Sequence, residues 1–156
     1  MKSILSVMLL LLILTPAVYA QKGSDATQWN LDSKNHLALN GYDPVAYFKD
    51  KKAIKGQSSI TADSDGVKYQ FATNSNKDLF LKSPASYQAQ YGGWCAYAMG
   101  AKGEKVEVDP ETFKIVDGKL YLFYNKFFNN TLDTWNKNEA ELKTNADKNW
   151  FKLTGH

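Results

Sequence analysis

Thiols and thioethers are the side chains through which proteins bind soft metals or run thiol chemistry, and this 156-residue sequence has one cysteine, Cys95. Met99 follows four residues later and is the only methionine beyond the N-terminal apolar stretch. On a helix that spacing puts thiol and thioether on one face, where such a pair can bind Cu(I), which tolerates few ligands. The two histidines are His36, in a polar stretch, and His156, the last residue. A terminal residue frays, so His36 is the third candidate ligand. Two other readings of Cys95 stand beside copper. With Met99 it can be a core filler next to Trp94 and Tyr97, or it can be a nucleophile, whose reactivity depends on exposure. A Cys95–His36 dyad needs the two within hydrogen-bond reach, and nothing in the spacing brings them there. A closed all-cysteine zinc site is excluded within one chain.

Tyr42 and Asp43 precede Pro44. The Asp43 carboxylate either closes an Asx-type turn or faces a small organic ligand together with the Tyr42 hydroxyl and Trp94. Gly92-Gly93, just before Trp94, serves either as turn chemistry or as a place where something approaches the backbone closely. The exposure of Cys95 discriminates among the classes. An exposed thiol beside Met99 favours a metal, a buried one under an aromatic pocket favours an organic ligand, and an exposed one near a histidine favours an enzyme. No residue set forms a catalytic constellation, so an enzyme is the weakest of the three.

The elements that must position these residues are legible in part. Asp63-Ser64-Asp65-Gly66 separates Ile60 from Val67-Lys68-Tyr69-Gln70-Phe71, whose strict alternation predicts a half-buried strand. Asn74 or Ser75 caps a helix with Leu79, Phe80 and Tyr87 apolar, and Pro84 opens a second short helix. Asp117-Gly118-Lys119 joins Phe113–Val116 to Leu120–Tyr124 as a β-hairpin. Val45–Phe48 reads as a short buried piece of helix or strand, and Lys49–Lys55 as a solvated basic stretch. From Phe127 the pattern is helical, with Leu132, Trp135, Leu142, Ala146, Trp150 and Leu153 as the buried stripe. The other aromatics, Phe127 and Phe128 among them, suit a small core. These elements make an α+β domain: a small antiparallel sheet with short helices and a C-terminal helix packed on it.

Composition narrows the partners. All 19 basic residues are lysines, against 16 acidic ones, for a net charge of +3. Without arginine, bidentate phosphate and guanine contacts are lost, and no basic groove is evident, so nucleic acid is excluded as a partner. Asn129-Asn130-Thr131 is a glycosylation sequon, relevant only in a eukaryotic secretory pathway. Lys2, the apolar run Ile4–Leu14, Pro16 and the small residues Val18 and Ala20 form a secretory signal. Its apolar run falls short of the ~20 residues of a spanning helix, so cleavage after Ala20 leaves no stable membrane insertion. The expected organisation is a signal peptide at 1–20, a loosely ordered arm at 21–40 and one domain at 41–156, periplasmic or secreted. A lone cysteine forms no internal disulfide.

Tyr42-Asp43-Pro44-Val45-Ala46-Tyr47-Phe48 resembles the YHS domain family. A second stretch strengthens the match: Tyr69-Gln70-Phe71-Ala72-Thr73, Asn76-Lys77, Phe80-Leu81, Pro84 and Tyr87 resemble the family's strand–helix unit. The resemblance to the family's exported branch continues through Gly92–Ala98 to the hairpin near Tyr124. It implies heavy-metal handling, which in the family rests on cysteines. Here Ala46, Ala72 and Asn76 stand where the family has thiols. Any soft-metal affinity, copper first, must therefore run through Cys95 with Met99 or His36, and a homodimer could bring two Cys–Met pairs together. The partner expected is a metal ion or a small molecule.

Overall fold

Two Asp-Gly pairs set the strands. In the computed structural model, which describes residues 28–155, Asp65-Gly66 and Asp117-Gly118 both adopt left-handed backbone, with φ of 53° and 75° and of 52° and 71°. This geometry turns a two-residue hairpin with the natural strand twist. The first turn joins β1 (Gln57–Ser64) to β2 (Val67–Phe71), and the second joins β3 (Asp109–Val116) to β4 (Lys119–Phe123), both antiparallel. A third ladder pairs β5 (Asn125–Lys126) with β6 (Asn129–Asn130). Among the described residues the strands form three two-stranded sheets. With the five α-helices of the same residues, these make the α+β class expected. The expected signal peptide at 1–20 and the first part of the arm lie outside the described residues.

The helices are short because their ends are written locally. Asp43 caps α1 (Pro44–Lys49), with proline at the first helical position. Thr73, one residue ahead of the expected cap, accepts from the Asn76 amide at the start of α2 (Asn74–Lys82). The asparagine and serine that follow are already helical. Pro84 opens a single 3₁₀ turn, as expected. Then come α3 (Ala96–Lys102), α4 (Thr131–Lys137) and α5 (Glu139–Thr154). Helix α5 lies along α3, and Gly100 is the contact point, since a Cβ there would strike the Leu142 carbonyl.

Strand β4 divides the interior. Leu120 and Leu122 on one face join a cluster built on Val45, Tyr47, Val67, Tyr69, Phe71 and Phe80. Tyr121 and Phe123 on the other face join Trp135, Met99, Ala146 and Tyr91. A strand buried on both faces loses the alternation of a half-buried one, whereas β2 keeps it, with Val67, Tyr69 and Phe71 buried and Lys68 exposed.

Three expectations change. Residues 28–40 are not a loose arm: Leu37, Ala38 and Leu39 are buried, and Trp29 and Leu31 pack on the first cluster. Leu153 is half exposed, in the last turn of α5, and Asn138 divides the expected helical stretch into α4 and α5. Phe127 and Phe128 are not core residues but stand in solvent at the β5–β6 turn, with φ of 53° and 62°.

Candidate functional site

Cys95 is fully buried. It occupies the N-cap position of α3 with non-helical backbone, so its side chain does not share a helical face with Met99. The Tyr124 amide donates to Sγ at 3.4 Å, and the Thr131 hydroxyl lies 3.5 Å from it. Because Thr131 Oγ1 donates its own proton to the Tyr124 carbonyl at 2.8 Å, the thiol proton is the one that points to Thr131. Met99 is buried in the other core cluster, and His36 is exposed in a turn closed on Asp32. Cys95, Met99 and His36 therefore do not converge as a ligand set, and the described residues contain no cluster of three metal-ligating side chains.

The second set disperses too. Asp43 is fully buried. Its Oδ1 accepts from the amides of Val45 at 2.8 Å and Ala46 at 3.3 Å, and its Oδ2 from the Ala72 amide at 2.8 Å and Asn76 Nδ2 at 2.7 Å. A carboxylate so saturated is a structural knot with no face left for a ligand. The three positions that the resemblance marks for thiols, Ala46, Ala72 and Asn76, do meet in space, and all three donate to this one carboxylate. Tyr42 points elsewhere, donating to Glu111 at 2.8 Å under the Lys55 ammonium. Glu111 raises the pKa of that hydroxyl. Trp94 donates its indole N–H to the Gln28 carbonyl at 2.8 Å.

That last bond helps build a cavity sequence reasoning missed. The strap entering the domain is pinned by Trp94, by the Asn30 amide on the Gly92 carbonyl at 2.8 Å, and by the Asn30 side chain on the Gly93 carbonyl at 3.1 Å. Gly92 must lack a side chain because the Gln28 carbonyl sits where its Cβ would be. What approaches the backbone at Gly92-Gly93 is the protein's own strap.

Beside the strap opens a cavity of about 570 Å³, within the size range of small-molecule sites. Its walls are Tyr91, Trp150, Phe151 and Trp29, and its polar side chains are Asp65, Asp147, Gln28, Gln88 and Gln90. Tyr91 donates to Asp147 at 2.8 Å, and Gln88 donates to Asp65 at 3.1 Å. Burial, and then the bond to Asp147, raise the Tyr91 pKa far above its ordinary value, so Tyr91 stays a donor. Behind Gln88 the buried Tyr69 hydroxyl feels Gln88 and Asp65 but completes no hydrogen bond of good geometry. The signal for this site was faint: Tyr91 takes left-handed backbone just ahead of the two glycines, and Asp147 and Trp150 lie three residues apart on α5. A smaller cavity of about 260 Å³ lies over Cys95, lined by Tyr97, Val106, Tyr124 and Thr131 among others.

No protein-family model, no curated protein and no solved structure matches the chain. Function is therefore read from the cavities and their chemistry.

Proposed function

We propose that this chain is an exported domain of the YHS type that binds a small organic ligand, independently of any metal held by Cys95, in the cavity between the 28–30 strap and α5. The observation that carries this reading is the convergence of four aromatic walls with two carboxylates and three glutamines in a space of about 570 Å³. Largely apolar concavities with a few converging polar groups are where small molecules bind. The buried, hydrogen-bonded Cys95 supports the same reading, since a thiol under an aromatic roof is the arrangement expected of an organic-ligand domain. Trp94 keeps a role one step removed from the ligand, holding the strap that forms one wall. The N-terminal signal supports an extracytoplasmic site of action.

The test is a fragment screen by nuclear magnetic resonance on the exported chain, with parallel Cu(I) titration against a competing chelator. Binders should shift the Trp150 and Tyr91 resonances, weaken at least tenfold in Trp150→Ala, and bind Cys95→Ser unchanged. Wild type, Cys95→Ser and Met99→Leu should compete for copper equally and weakly. A stoichiometric copper site lost in Cys95→Ser would overturn the proposal in favour of the metal.

A further inference from the structure

We infer that the ligand of the large cavity is a neutral sugar ring, a pyranose presented either as a free saccharide or as part of a glycan chain. This rests on the reading of that cavity as the binding site and names the chemistry it selects. The charges around the cavity are already answered within the fold. Tyr91 donates to Asp147, and the Lys143 ammonium, 3.1 Å from Asp117, acts on Asp147 as well. Gln88 and Ser64 donate to Asp65. The Lys105 ammonium lies 5.9 Å from the Trp150 ring centroid. With carboxylates and ammoniums interleaved in this way, a charged ligand finds no field of one sign to follow. A neutral ligand has no charge to strip of water on entering.

The rings select a shape. Tyr91 and Trp150 meet edge to face, with centroids 6.3 Å apart and planes at 65°, so these two walls form a corner. A flat aromatic ligand stacks on one wall of a corner and meets the other only with its edge. A saturated sugar ring is thick, with C–H groups on both faces and around its rim, and lies against both walls at once. Phe151, also in the lining, is 62% exposed and offers a further apolar face that the fold's own packing does not consume.

The polar side chains select hydroxyl groups. Gln28, Gln88 and Gln90 bring three amides to the lining. An amide donates and accepts without carrying charge, as a sugar hydroxyl does. A hydrocarbon of the same shape would take water from these amides and the two carboxylates without replacing its hydrogen bonds, at a cost for each group. A polyol replaces them.

The test titrates methyl glucoside, methyl galactoside, maltose and cellobiose into the exported chain, followed by the Trp150 and Tyr91 resonances. Cyclohexanol, 2-phenylethanol and phenethylamine are the controls for a saturated ring, a flat ring and a cation. At least one sugar should bind about tenfold tighter than cyclohexanol, as one or two additional hydrogen bonds would give. A disaccharide that binds more tightly than the methyl glycosides marks a glycan chain as the source, and equal affinity marks a free sugar; either supports the inference. The double substitution Gln28→Ala with Gln90→Ala should remove most of the sugar's advantage and leave cyclohexanol binding unchanged, a result that simple unfolding cannot mimic. If any control binds as tightly as the best sugar, or if the double variant keeps the advantage or loses both ligands together, the sugar inference falls and the cavity reading survives. If nothing in the panel binds while other fragments shift Trp150, the sugar inference again falls alone. If no fragment of any class perturbs Trp150 or Tyr91, both readings fall together.

Discussion

A buried carboxylate is tolerated only where donors replace the water it has lost, and Asp43 has four, two at the start of α1 and two from the β2–α2 corner. Asp43→Ala leaves the Ala72 amide and the Asn76 amide group without their acceptor, and should cost about 3 kcal/mol in urea denaturation. A loss below ~1 kcal/mol would mean the knot is dispensable. Phe127 and Phe128 present the opposite case. Their left-handed backbone is rare for bulky residues and costs about 1–3 kcal/mol at each such position, and their rings gain nothing from burial. The double substitution Phe127→Asn with Phe128→Gly introduces the pair that a two-residue turn of this kind prefers. It is expected to raise the melting temperature by several degrees. A lowered melting temperature would show that the rings support the fold from outside. Asp43 was legible in the sequence as one of two roles, a turn or a pocket. Its neighbours across the corner, 29 and 33 residues away, decide for the turn.

Among the elements, β3 begins at Asp109, four residues before the expected Phe113, whereas the two hairpin turns and the first turn of α2 follow from local chemistry and stand within a residue or so of where the sequence puts them. The strap at 28–40 does not, because its polar composition hides four anchoring points that only the partner surface defines: Trp94, Gly92, Gly93 and Lys68, whose carbonyl accepts from Ala38. The start of α5 is held by Lys114 on β3, whose ammonium lies 2.6 Å from Glu139. Lys114 lowers the Glu139 pKa below the ordinary carboxylate value. A carboxylate depressed in the folded state stabilises at pH values above its unfolded pKa and loses that contribution as the pH falls through the folded one. Stability should therefore decline on acidification below the ordinary carboxylate range, and Glu139→Gln should shallow that decline in melting curves collected from neutral to acid pH. Parallel curves for the two proteins would rule this pair out as a contributor.

At the scale of the whole molecule, two cores share one wall, β4, and Trp135 fills the second, with Tyr121 and Phe123 packed at ring distances of 5.8 and 5.5 Å. Trp135→Ala should cost about 3–5 kcal/mol, a large share of the ~5–15 kcal/mol that a domain has in all. Trp150, half-buried on the cavity wall, should cost clearly less. Equal losses for the two would place Trp150 in the core and remove it from the site. By itself the sequence determined the α+β class, both Asp-Gly hairpins, the alternation of β2 and the proline-started helices, because each is dictated by neighbours a few residues apart. Tertiary structure alone decided the site. Tyr91, Asp65 and Asp147 come from three segments far apart in the chain, and no spacing marks them as neighbours. The same holds for the candidates that dispersed. Cys95 and Met99 look paired at four residues' separation, but a non-helical N-cap backbone turns them into different cores. Local interactions fix local geometry; a cavity is made by surfaces that meet only when the chain has folded.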